Sequence, residues 1–120
     1  MRVERFDIAI DTGSFLVNPL AAERQVEMQV AKGVAATLYQ EITIGKGRVV
    51  QSNFDNYPIL RATETPEIGV PWVRATDDPI AGIGEEAIGW VAPAICNAIF
   101  AATGKRIRSL PVKKHDLSWA

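Results

Sequence analysis

Apolar and polar positions alternate toward the end of Arg2–Ile10, where Phe6, Ile8 and Ile10 are apolar and Arg5 and Asp7 intervene. That period of two predicts a strand, closed by the turn residues Asp11-Thr12-Gly13. The period then changes. Val26, Val30, Val34 and Leu38 recur every four residues, and Ala31 and Ala35 widen the stripe. This is the apolar face of an amphipathic helix. Asn18 as cap and Pro19 in the first position set its start, and it is expected to run to about Tyr39. Gly33 lies inside it, where glycine costs up to about 1 kcal/mol relative to alanine. Close approach of another backbone or of a ligand is the usual reason to accept that cost.

Downstream, Glu41-Ile-Thr-Ile44 and Arg48-Val-Val-Gln51 flank Gly45-Lys46-Gly47, which is a hairpin pattern. The glycine–lysine–glycine run has no strand–loop–helix context, so it reads as a turn and not as a phosphate cradle. Ser52–Pro66 is irregular, and Phe54, Tyr57, Ile59 and Leu60 are expected to anchor it to the body. Glu67–Arg74 is a strand broken by Pro71, hence an edge or a bulge. Thr76-Asp77-Asp78-Pro79 is a turn leading into the glycine loop Gly82-Ile83-Gly84. A second helix is expected from about Ala92 to Thr103. Pro93 would lie in its first turn, Ile95, Ile99 and Phe100 on its buried side, and Gly104 at its stop. Arg106–Leu110 reads as a last strand and Lys113–Ala120 as a polar tail. The order β-α-ββ-β-α-β predicts an α+β fold, with two helices packed on one face of a small mixed, mainly antiparallel sheet. It divides into a body over residues 1–112 and a tail over 113–120.

Composition adds boundaries. The 120 residues suit one domain, with 48% hydrophobic and 22% charged residues. A net charge of −1 gives no electrostatic case for nucleic acid or for an anionic membrane as partner. The longest apolar run, Trp90–Ala102, is too short to span a bilayer. The charged start Met1-Arg-Val-Glu-Arg-Phe-Asp7 does not read as a signal peptide, which leaves the compartment open.

Few residues offer chemistry. His115 is the single histidine and lies in the tail, so a histidine triad or histidine metal site has almost no support. Cys96 is the single cysteine and falls in the second helix beside Ile95, where a buried structural thiol is favoured over a nucleophile. Trp72, Trp90 and Trp119 read as packing groups. Lys105, Arg106, Arg108, Lys113 and Lys114 form a solvated face or a docking surface. There remains Gly82-Ile83-Gly84-Glu85, a carboxylate on a flexible loop just ahead of a helix. G-x-G-E is a weak pattern by itself. It fits a functional acid, and it fits a carboxylate that merely serves the helix N-terminus. On spacing alone Gln25 is a helix-surface amide.

In combination the motifs say more. They are Asp11-Thr-Gly13 with Val17-Asn-Pro19, Gln25-Val-Glu27, Gln51-Ser-Asn-Phe54, Asp55-Asn-Tyr-Pro58, Gly82-Ile-Gly-Glu85 and Asn97-Ala-Ile-Phe-Ala-Ala-Thr-Gly104. Together they resemble the C-terminal part of the molybdenum-binding subunit of the xanthine dehydrogenase/aldehyde oxidase family. Within that family the branch most similar is the isoquinoline 1-oxidoreductase β-subunit and aldehyde dehydrogenase type. The resemblance runs from about Asp7 to Val112. It implies oxidative hydroxylation of an aldehyde or an N-heteroaromatic ring, with water as the oxygen source. It implies molybdopterin, in its cytosine dinucleotide form, as the cofactor. The implied partners are the remainder of the molybdenum-binding subunit and an iron–sulfur subunit. Glu85 matches the family's general base, which takes a proton from hydroxide on molybdenum. Gln25 matches a glutamine beside the cofactor, and glycines at 82 and 84 would let the backbone approach it.

The sequence departs from the family pattern at Met28, where glycine is usual, and at Glu86, where proline is usual. Two readings follow. In the first, the chain supplies the base of a molybdenum hydroxylase and is expected to be inactive and free of cofactor when isolated. In the second, it is a non-catalytic assembly module that keeps the fold.

Overall fold

The computed structural model describes residues 1–73 and 78–118. The expected turn at Thr76-Asp77, the strand end at Arg74 and the Trp119 side chain lie outside the described residues.

The first helix, α1 (Pro19–Leu38), begins where the cap signal puts it. The Asn18 side chain accepts from the Ala21 N–H at 3.0 Å, and proline occupies the first turn. The second, α2 (Ile88–Thr103), ends at Gly104 in the left-handed conformation, φ 70°. It starts four residues before the expected Ala92, so Pro93 lies inside the helix and not in its first turn. Two things hold that extra turn despite Pro93. Val91 is fully buried, and the Ala87 N–H ahead of it bonds to the Gln29 side chain of α1.

The helices pack on each other. Val30 and Val34 meet Val91, Ile95 and Ile99, with Ile107 and Val112 closing the cluster. Phe6, Ile8 and Ile68 pack against it from the strands. Gly33 is the contact point: a Cβ built there would stand 2.6 Å from the Val91 Cβ. Gly33→Ala removes up to about 1 kcal/mol of helix penalty. It adds an overpacking cost of roughly 1–3 kcal/mol. Over most of that range the second term wins, so the urea midpoint of Gly33→Ala should fall by the equivalent of up to about 2 kcal/mol.

The α+β class is as expected, but the strands do not form one mainly antiparallel sheet. Among the described residues they make three two-stranded ladders. Strand β1 (Arg5–Asp7) pairs in parallel with β5 (Glu67–Gly69), and β2 (Ile10–Asp11) pairs in parallel with β6 (Trp72–Val73). Pro71, without an N–H, separates β5 from β6. Among the described residues only β3 (Ile44–Gly45) and β4 (Arg48–Val49) are antiparallel, joined by Lys46 and Gly47, both at positive φ. That is the twist a two-residue hairpin needs, so the turn reading of the glycine–lysine–glycine run holds.

Arg106–Leu110 is not a strand. Its residues are held by side chains instead. Arg106 lies 3.6 Å from the Phe100 ring centroid and bonds Asn97 Oδ1 at 2.6 Å. Phe100 is therefore at the surface, 41% exposed, and not on the buried side of α2. Lys105 Nζ donates to the carbonyls of Asp116 and Ser118, and Lys114 pairs with Glu41. Much of the basic cluster thus pins the chain's own C-terminal segment. In the irregular loop, Leu60 packs on the core while Phe54 and Ile59 stay exposed. Trp90 is exposed as well, against its reading as a packing group.

Candidate functional site

Three segments meet at the N-terminus of α1: the β2–α1 turn, the first turns of α1, and the loop ahead of α2. The turn is set by Asp11, whose Oδ1 accepts the Gly13 N–H at 2.9 Å. Gly13 adopts φ 85°, open to glycine at little cost. The loop then runs alongside. Ser14 N–H bonds the Asp78 carbonyl at 3.2 Å, and Ala81 N–H bonds the Thr12 carbonyl at 3.0 Å. Gly13 is also required by contact, since a Cβ there would lie 2.2 Å from the Pro79 carbonyl oxygen.

Beyond Ala81 a second anchor takes over. Gln29, 2% exposed, donates from Nε2 to the Ile83 carbonyl at 2.6 Å and accepts the Ala87 N–H on Oε1 at 2.8 Å. Glu85 lies on the arc between these two contacts. Its N–H bonds Glu86 Oε2 at 3.0 Å. Its carboxylate is exposed, with no hydrogen bond or ion pair among the described residues.

The segments enclose a surface cleft of about 390 Å³. Gln25, Gly82 and Gly84 all line it, so the structure brings together three of the four residues singled out in the sequence. Glu85 follows the last of them but is not itself in the lining. The cleft holds the features a polar, flat group would use. The Gln25 side chain makes no hydrogen bond among the described residues and is half-buried. A Cβ at Gly84 would meet nothing within 4 Å. The N-terminus of α1, with no acidic residue in its first turn, presents the positive end of the helix dipole. Phe15, Leu16 and Val17 supply apolar walls.

The two departures leave the cleft open. Met28 is 41% exposed and Glu86 bonds the adjacent backbone; neither is in the lining. The remaining candidates are structural. His115 Nε2 lies 2.8 Å from the Ser109 carbonyl, and Cys96 is half-buried against the core. A larger groove of about 760 Å³ lies between the N-terminal strand and α2. Ala94, Ala98, Ile99 and Leu117 line much of it, and none of the four candidate residues does. Among the described residues no three His, Cys, Asp or Glu side chains are grouped to hold a metal ion, and no helix is long and apolar enough to cross a membrane.

Residues 1–66 match the sequence pattern of the molybdopterin cofactor-binding domain. The chain belongs to that family. The match covers Gln25 and α1 and ends before the glycine loop. Relatives extend through the loop. The chain is 35% identical over 114 residues, 95% of its length, to the membrane-bound aldehyde dehydrogenase [pyrroloquinoline-quinone] of Gluconacetobacter polyoxogenes. It is 34% identical over 113 residues, 94% of its length, to isoquinoline 1-oxidoreductase subunit beta of Brevundimonas diminuta. It spans only 14% of each of these proteins. The fold matches the crystal structure of quinoline 2-oxidoreductase from Pseudomonas putida 86 with a TM-score of 0.82, over 92% of this chain and 15% of that one, at 24% identity. The α+β arrangement of this molybdopterin-binding domain is thus that of a short stretch within a much longer subunit.

Gln29 was missed in the sequence. The signal was available: it is a polar residue on the apolar stripe, three positions after Val26 and four before Gly33.

Proposed function

We propose that this chain is the segment of a molybdenum hydroxylase that supplies the general base, Glu85, beside a cleft facing the cofactor. One observation carries the reading. Gln25 and the Gly82–Gly84 loop, remote in sequence, form one cleft at a helix N-terminus in a member of a molybdopterin-binding family. The Gln25 amide and the backbone of the loop would hold the polar edge of the pterin, in its cytosine dinucleotide form. When bound, the molybdenum–pterin centre supplies the Lewis-acid and two-electron chemistry of hydroxylation with water as oxygen source.

The chain's own residues then have defined tasks. Glu85 accepts a proton on its carboxylate from the attacking oxygen, the work of a general base. Its position is set by the loop rather than by partners of its own carboxylate. Phe15, Leu16 and Val17 give one side of the cleft an apolar wall. The substrate is an aldehyde or an N-heteroaromatic, the chemistry named for the relatives, and electrons leave through an iron–sulfur subunit.

The remainder of the molybdenum-binding subunit would complete the site, since this chain is about one-seventh of such a protein. The isolated chain is therefore expected to purify without molybdenum and without turnover. Metal analysis finding one molybdenum per chain would overturn that. Glu85→Gln in the assembled enzyme tests the base role: loss of turnover with molybdenum retained supports it, and unchanged turnover removes it in favour of an assembly module.

A further inference from the structure

We infer that Gln29 is a positioning residue for Glu85, one that acts through the backbone of the loop without touching the reacting atoms. The inference builds on Glu85 as the base. Three observations converge. First, Gln29 is a polar side chain at a core position of α1, 2% exposed, flanked by the fully buried Val26 and Val30. An apolar side chain of similar size would suit that surface, so the amide is there for its hydrogen bonds.

Second, both halves of the amide are used, and they bracket Glu85. The donor Nε2 holds the Ile83 carbonyl at 2.6 Å, and the acceptor Oε1 holds the Ala87 N–H at 2.8 Å. An amide offers a donor and an acceptor side by side without depending on pH. Ala87 is the N-cap of α2 and has no capping side chain, so Gln29 caps one helix from another. Third, the Glu85 carboxylate has no partner among the described residues that would aim it. Its direction therefore follows from the arc. The strap from Thr12 to Ala81 fixes one end of the loop, and Gln29 fixes the part that carries the base.

Gln29→Met keeps the volume and helix propensity but removes both hydrogen bonds. In the full chain its effect should be local. Hydrogen exchange of the Ala87 amide should speed at least tenfold, while the amides of Ile95 and Ile99 stay within about threefold of wild type. A displaced base costs rate, roughly 10- to 100-fold for a misplacement on the order of 1 Å. In the assembled, molybdenum-loaded enzyme kcat should accordingly fall about 10- to 100-fold. KM and molybdenum content should stay within twofold. Gln29→Glu is the second variant. Measured at a pH where it is ionised, its carboxylate keeps an acceptor for Ala87 and has no donor for Ile83, so Ala87 protection should survive while kcat still falls.

Unchanged exchange at Ala87 in Gln29→Met, or exchange raised equally along all of α2, would overturn the proposal. The same holds for kcat that falls only in step with lost molybdenum. The exchange result does not depend on turnover. If Glu85→Gln leaves turnover intact, the base assignment has failed. If Glu85→Gln abolishes turnover and Gln29→Met does not alter it, the positioning role has failed.

Discussion

Gly13→Ala is expected to destabilise the chain by roughly 2–5 kcal/mol, a large share of a typical domain's stability. Two costs add. A left-handed backbone disfavours any residue with a Cβ by about 1–2 kcal/mol. Gly13 holds φ 85° there. The second cost is steric. The new Cβ would lie 2.2 Å from the Pro79 carbonyl oxygen and 2.9 Å from its carbon, both backbone atoms that cannot swing aside. Relief requires the 78–81 stretch of the loop to move off the 12–14 turn. Such shifts cost about 1–3 kcal/mol in packed sites.

Gly47→Ala separates the two costs. Gly47 has φ 75°, but a Cβ there meets nothing within 4 Å. It should lose only the conformational part, about 1–2 kcal/mol. Urea unfolding with unchanged m-values should therefore show a larger fall in midpoint for Gly13→Ala than for Gly47→Ala. Equal shifts would mean that the strap between turn and loop is not packed as described.

The parts of this molecule that local chemistry decides were legible in the sequence. Asn18 and Pro19 fixed the start of α1, Gly104 the end of α2, and Lys46-Gly47 the hairpin. Gly33 announced a close contact, and Val91 is what it meets. The parts decided by distant partners were not legible. The pairing of β1 with β5 and of β2 with β6 joins segments on either side of α1 and the irregular loop, and nothing local states that it is parallel. Pro93 normally marks a first turn, whereas here it lies inside α2 and a side chain from α1 supplies the cap. Phe100 was placed on the buried face by spacing, yet Arg106 covers its ring from outside.

The candidate cleft was half legible. Gln25, Gly82 and Gly84 could be named from motifs, and they share a cleft. What motifs could not give was the clamp. Gln29 stands out in the sequence as a polar residue on the apolar stripe, but its two partners in the loop are set by tertiary contacts.

Glu85→Gln carries the other large effect. The substitution preserves size and leaves the Gln29 and Thr12 anchors of the loop untouched. It removes the capacity to accept a proton. General base catalysis contributes about 10²–10⁴-fold in rate, some 3–5 kcal/mol of barrier. Gln25, Gly82 and Gly84, which the proposal assigns to the cofactor, remain, so the cofactor should stay bound. The decisive measurement is therefore kcat of Glu85→Gln per bound molybdenum in the assembled enzyme. A fall of about 10²–10⁴-fold at full molybdenum occupancy is the predicted result. A kcat within twofold of wild type at the same occupancy would contradict it.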